Sequence, residues 1–256
     1  MEVILNINDL KIDGLWKNIS LSIGKGTITT ISGSNNCGKT TLVRILDRKL
    51  VGDFNINLCG KDIKEYSLEE YSHLMQAVYP NEFHFTEKTL CEEMQKEEIH
   101  RTKMAFFRMN SFSNKYLEKD LQKGTRKEKI IAQIILAIAK ANLIVAIDGI
   151  DYEFDKEELD DIYEFLNICV NTFKISIIMT TLSLEQALQT NEVYIIDEGE
   201  VLLHGNPISV IQKDNILNKA GLEVPFMIDL SVKLRDYDLV KNIIFEKEDM
   251  VNQLWS

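Results

Sequence analysis

Thr27-Ile28-Thr29-Thr30-Ile31-Ser32-Gly33-Ser34-Asn35-Asn36-Cys37-Gly38-Lys39-Thr40-Thr41-Leu42 passes from a β-branched run through a glycine-bounded loop into apolar residues at helical spacing, continued by Ile45 and Leu46. Gly33 to Thr40 satisfies G-x-x-x-x-G-K-[ST], with a strand pattern before it and a helix pattern after it, as that loop requires. The glycines let the backbone curl so that successive N–H groups converge on phosphate oxygens, and the following helix adds its positive dipole end. Lys39 is then placed to neutralise β- and γ-phosphates. Thr40 offers a hydroxyl to Mg²⁺, and the metal also needs a carboxylate at the end of a strand. Asp148 meets that need, because it ends the apolar run Leu143 to Ile147. The candidate nucleotide-binding residues are Gly33, Ser34, Asn35, Asn36, Cys37, Gly38, Lys39, Thr40 and Thr41, with Thr40 and Asp148 for Mg²⁺. Cys37 reads as a small loop residue rather than a redox switch, since no resolving partner is evident.

Working outward, Val3 to Ile7 and Ile19 to Ile23 alternate as strands, and the almost wholly apolar Leu143–Ile147 and Ile175–Met179 read as parallel strands covered on both faces. The polar, Met- and Phe-dotted stretch from Thr86 to Lys123 has helical character and reads as an insertion. After Pro207 the chain turns to charged, helix-like segments. The class is α/β. With 29 Lys and Arg against 40 Asp and Glu, the formal charge of -11 opposes phosphate backbones, so no nucleic acid is expected as a partner. Cys37, Cys59, Cys91 and Cys169 form no C-x-x-C pair, which argues against zinc and a disulfide framework and for a reducing, cytoplasmic compartment. His73, His84, His100 and His204 share no metal-ligand spacing. The longest apolar stretch, Ile130 to Ala139 broken by Gln133, is far short of the roughly 20 residues of a membrane span. The basic cluster Lys119, Lys123, Arg126, Lys127 and Lys129 reads as a solvated helix face.

Taken in chain order, these landmarks resemble an ATP-binding cassette (ABC) ATPase, specifically of the energy-coupling factor (ECF) transporter type, over nearly the whole chain. Leu121-Gln122-Lys123-Gly124-Thr125 stands where that family has its LSGGQ signature, and Asp155 where it has the D-loop aspartate. Glu192 to Val201 followed by Gly205-Asn206-Pro207 resembles its closing strand pair and turn, and Ile216 to Phe226 with the charged segments behind it resembles the ECF tail. The resemblance implies a P-loop NTPase core with a mixed sheet over residues 1–210, a helical insertion at about 86–125, and a C-terminal helical extension over 211–256. It further implies ATP and Mg²⁺ as ligands and a heterodimer with a partner ABC ATPase subunit. A transmembrane coupling protein would dock at Tyr79 to Phe85 and the helical segment beyond, beside a substrate-binding membrane subunit, and the C-terminal helices would help hold the ATPase pair. The chain would lie peripherally on the inner face of the cell membrane.

Hydrolysis in this family uses a composite site, and here several of its groups are replaced. Gly149 occupies the position of the Glu that polarises water, and Leu182 that of the switch histidine. Tyr79 aligns with the Q-loop glutamine, Gln76 lying three residues upstream, and Gln122 takes the place of the signature Ser, a part that Thr125 is near enough to inherit. Asp151 and Glu153 lie just beyond Gly149 as alternative bases, past the position the resemblance assigns to catalysis. The base-stacking aromatic aligns near Gly14, and the neighbouring Trp16 reads as core. A positioned base typically contributes about 10² to 10⁴ in rate, so binding of Mg-ATP with poor hydrolysis is the expectation. An active homodimeric ATPase and a nontransport nucleotide-dependent regulator or scaffold stay open as alternatives.

Overall fold

Two kinds of strand build the sheet, one alternating and one buried on both faces. In the computed structural model, which describes residues 2–244 and 247–255, the chain opens with β1 (Val3–Ile12), β2 (Trp16–Gly24), β3 (Ile28–Gly33), α1 (Lys39–Leu46), β4 (Asn55–Leu58) and β5 (Lys61–Asp62). The middle holds α2 (Leu68–Leu74), β6 (Met75–Val78), α3 (Leu90–Lys96), α4 (Arg101–Met109), α5 (Ser111–Leu117) and α6 (Arg126–Lys140). There follow β7 (Ile144–Asp148), α7 (Lys156–Phe173), β8 (Ser176–Thr181), α8 (Leu184–Ala187), β9 (Glu192–Asp197) and β10 (Glu200–Gly205). The last segments are α9 (Pro207–Ile211), α10 (Asp214–Lys219), α11 (Phe226–Asp236) and α12 (Lys247–Leu254).

The ten strands form one mixed sheet in the order β5-β4-β1-β2-β10-β9-β3-β8-β7-β6. The run β9-β3-β8-β7-β6 is parallel, and β3, β7 and β8 are buried at every position, which is why their sequences show no alternation. β1 pairs antiparallel with β2 and β4 and buries one face. The antiparallel and parallel parts meet where β10 touches β2 through the bridge Glu200–Asn18. Tyr194 reinforces that seam: its hydroxyl donates to Ser22 O at 2.9 Å and accepts from Ser22 N at 3.1 Å.

α1 buries Leu42, Val43, Ile45 and Leu46 against the parallel strands β3 and β7, in a core that continues onto β1 and β2, and α6 and α7 pack with β7 and β8. The helices α3 to α5 join that second core through Met94, Phe107 and Leu117, with Phe107, Phe165 and Phe173 in ring contact. Three of these helices start at reciprocal capping boxes: Thr89 with Glu92, Thr125 with Glu128, and Asp155 with Glu158. At its other end α6 is closed from outside, since Lys103 Nζ donates to the carbonyls of Ile138, Ala139 and Ala141 at 2.7 to 3.1 Å. Beyond Pro207, Val210, Leu217, Leu222 and Ile228 pack with Leu184 and Val193, while Val240, Ile244 and Met250 form a small separate cluster. Among the described residues, no helix is long and apolar enough to cross a membrane.

Candidate functional site

The glycine loop leaves the C-terminal end of β3, the parallel strand between β9 and β8, and its backbone is so closely packed that Gly33 and Gly38 have no substitutes. A Cβ at Gly33 would lie 1.9 Å from Ile196 O, and one at Gly38 would lie 2.5 Å from Trp16 Nε1. Trp16 is buried and donates through Nε1 to Cys37 O at 2.8 Å, so this core residue props the loop from below. Lys39 Nζ donates to Gly33 O and Ser34 O, both at 2.8 Å, and sits 3.6 Å from Cys37 Sγ. Burial pushes the Cys37 thiol up in pKa against the pull of Lys39. Ser34 Oγ donates to Asp197 Oδ1 at 2.6 Å and ties the loop to the β9 end. α1 differs from the boxed helices, for Gly38 at its N-cap brings no side chain and its first-turn N–H groups find no side-chain acceptor there.

A cavity of about 490 Å³ opens beside the loop, lined by Lys39, Thr40 and Thr41 on one side and Asp148, Gly149, Asp151 and Leu182 on another. Asp148 lies at the end of β7, opposite Thr180 on β8. Thr180 Oγ1 donates to Asp148 Oδ1 at 2.7 Å and accepts from Gly149 N at 2.9 Å. A second couple stands beside it: Thr181 Oγ1 donates to Asp151 Oδ2, which also accepts from Leu182 N at 3.1 Å, and Ser183 N donates to Thr181 Oγ1 at 2.8 Å. Asp151 Oδ1 is buried without a partner. Burial raises the Asp151 pKa, opposed by the bonds from Thr181, Leu182 and Ser183. These two threonines were not among the residues picked from sequence; a pair of hydroxyls ending an apolar run becomes legible only once β7 and β8 are known to be neighbours.

The remaining sequence candidates sort clearly by position. Tyr79 lines the cavity but is buried, its hydroxyl donating to Asp47 Oδ2 at 3.2 Å with Lys49 Nζ 4.1 Å from the ring centre. Gln76 is turned onto Ser72 O and does not line the cavity. Glu153 is paired with Arg126 at 2.8 Å and is also outside the cavity lining. The signature segment is closed upon itself: Asp120 Oδ1 accepts from Gln122 N and Lys123 N, and Thr125 is engaged in the capping box with Glu128. The basic cluster is more than a solvated face, since Lys119, Arg126 and Lys127 pair with Glu128, Glu153 and Glu158. Two of those carboxylates come from beyond β7, a distance that sequence spacing does not reveal.

The donor set fits a magnesium triphosphate. It has an ammonium, an uncapped first helical turn, a hydroxyl on Thr40 and a carboxylate on Asp148, around a loop whose glycines leave no volume for Cβ atoms. Among the described residues, no group of three or more His, Cys, Asp or Glu is placed to hold a metal.

Comparison with known proteins gives a consistent picture. Residues 16–148, over half of the chain, match the family described as ABC transporter. The energy-coupling factor transporter ATP-binding protein EcfA1 of Lactobacillus johnsonii is 24% identical over 245 residues, covering 90% of this chain and 83% of that protein. The protein of the same description from Clostridium novyi is 24% identical over 251 residues, covering 93% and 89%. Among solved structures, cbiO1 from Clostridium perfringens, part of the ABC transporter complex cbiONQ, matches with a TM-score of 0.74 at 18% identity over 92% of this chain and 100% of that one. At that identity the likeness speaks for the fold.

Proposed function

The chain belongs to the ABC transporter family, and from that premise we propose that it is the ATP-binding subunit of an ECF-type uptake transporter that grips Mg-ATP and hydrolyses it poorly. The ECF assignment is supported by the similarity to EcfA1 proteins along the length of the chain and by the fold shared with cbiO1. Gly33 to Thr41 would hold the triphosphate, with Lys39 on its terminal oxygens, and Thr40 and Asp148 would hold Mg²⁺.

One observation carries the poor hydrolysis. Of the carboxylates lining the cavity, Glu82 is held by Lys49 and Arg44, and Asp151 has one oxygen bonded and the other buried. Asp148, the metal ligand in this reading, is the remaining one, and Gly149 and Leu182 bring no polar side chain to the same wall. Among the described residues lining the cavity, no carboxylate is then both free of the metal and open to water on an unbonded oxygen. Catalysis would then come from a partner ABC ATPase subunit, with both ATPases docked on a transmembrane coupling protein beside a substrate-binding membrane subunit, at the inner face of the cell membrane. Residues 211–256 would form the extension that helps hold the pair; Phe226, Tyr237 and Trp255 there are 73%, 78% and 83% exposed, surface that a neighbouring subunit would cover. The test is to measure fluorescent-ATP binding and phosphate release by the purified chain with Mg²⁺. Binding with background release is expected, and rapid release by the chain alone would overturn the reading.

A further inference from the structure

β8 ends in two threonines, and the first is fixed in its hydrogen bonding. Gly149 N donates to Thr180 Oγ1 at 2.9 Å and occupies one of its lone pairs, while the hydroxyl proton goes to Asp148 Oδ1 at 2.7 Å. Thr180 is 1% and Asp148 7% exposed, so water does not compete for this bond. The parallel register sets the two residues opposite each other at the ends of β7 and β8, where the backbone is held by the ladders on both sides. Asp148 therefore reaches the cavity with one oxygen occupied and, among the described residues, Oδ2 without a partner. A free carboxylate would instead rotate and offer either oxygen.

We propose that Thr180 is a positioning residue for the metal-binding carboxylate: it fixes the plane of Asp148 so that Oδ2 is the oxygen left for the magnesium of a bound nucleotide. This rests on the Mg-ATP reading of the cavity and adds to it a residue outside the glycine loop. Thr180 does not touch the nucleotide in this assignment and acts only through Asp148. Its effect is thus confined to the metal dependence of binding.

Thr180→Val keeps the shape of the side chain and removes the hydroxyl, and Gly149 N retains its bond to Thr180 O at 3.2 Å. Thr180→Ser keeps the hydroxyl, and Thr180→Ala removes it without the added methyl should the valine prevent folding. The measurement is binding of N-methylanthraniloyl-ATP by fluorescence, once in EDTA and once as Mg²⁺ is titrated. The valine and alanine variants should need about tenfold more Mg²⁺ for half-maximal enhancement, the size expected for one lost charge-assisted bond. Their affinity in EDTA should equal that of the unaltered chain, and the serine variant should behave like it throughout. An unchanged Mg²⁺ requirement in the valine variant, or equal weakening with and without Mg²⁺, would overturn the assignment. If the unaltered chain binds no nucleotide at all, the proposed function falls first and this assignment falls with it.

Discussion

Gly38 and Gly149 are both held at positive φ, yet their surroundings give them opposite tolerances. At Gly38, φ is 101° and a Cβ would strike the Trp16 ring at 2.5 Å, so Gly38→Ala must displace either the loop or its prop. Loss of nucleotide binding by more than about tenfold, with destabilisation of about 1–3 kcal/mol, is expected in a nucleotide titration and a thermal melt. At Gly149, φ is 46° but nothing lies within 4 Å of a Cβ, so Gly149→Glu has room at the cost of about 1–2 kcal/mol for the left-handed backbone. That variant should fold and bind ATP. Its phosphate release should rise little, because Leu182 still offers no hydrogen bond, whereas Gly149→Glu with Leu182→His should release phosphate faster than the two single changes combined predict, since such groups work as a unit. Asp151 gives a pH test. Burial raises its pKa above the ordinary 3.8, so just above that value the folded chain keeps a proton that the unfolded chain has released, and stability falls as pH rises through the window. Asp151→Asn, which can still accept from Thr181 and Leu182 N, should lose this slope and gain thermal stability relative to the unaltered chain as pH rises above the ordinary 3.8.

The helix α6 shows how far local pattern reaches and where it stops. Its apolar stretch and the Thr125–Glu128 capping box are readable in sequence, but its C-terminal closure is not, because Lys103 comes from α4. Lys103→Met removes donors to three carbonyls and a cation at a helix C-terminus, for an expected loss of about 2–3 kcal/mol in a denaturant titration. Nucleotide affinity should be unchanged, since none of these residues lines the cavity. The same division runs through the rest of the chain. β3, the glycine loop and α1 were legible because glycine geometry and a period change are local, and β7 and β8 because continuous apolar runs mark strands buried on both faces. Strand order was not, because β10 comes back beside β2 over a long separation and through a bridge of one residue pair. In the site, Asp148 lines the same cavity as Asn35, Asn36 and Gly38 to Thr41 of the loop while Gly33, Ser34 and Cys37 lie outside its lining, and Thr180 and Thr181 depend on register between strands that are distant in sequence.

In the proposed transporter each ATPase would complete the other's site. This chain brings to such a pair a strong phosphate loop and a signature segment whose N–H groups at Gln122, Lys123 and Thr125 are already taken by its own carboxylates. Its ATP would therefore act chiefly as a ligand that stabilises the closed pair, by an amount set by the difference in affinity between closed and open states. Two phosphate-loop changes then have unequal consequences. Lys39→Ala should raise the concentration of partner needed to assemble the active complex, while phosphate release at saturating partner stays within several-fold of its original rate. The equivalent lysine change in the partner should abolish release at every concentration, because the only groups able to activate water would be on that side. The check is a steady-state titration of partner against each variant, read as both the half-saturating concentration and the plateau. Equal collapse of the two plateaus would mean that this chain's own pocket turns over ATP, and the division of labour between the subunits would have to be abandoned.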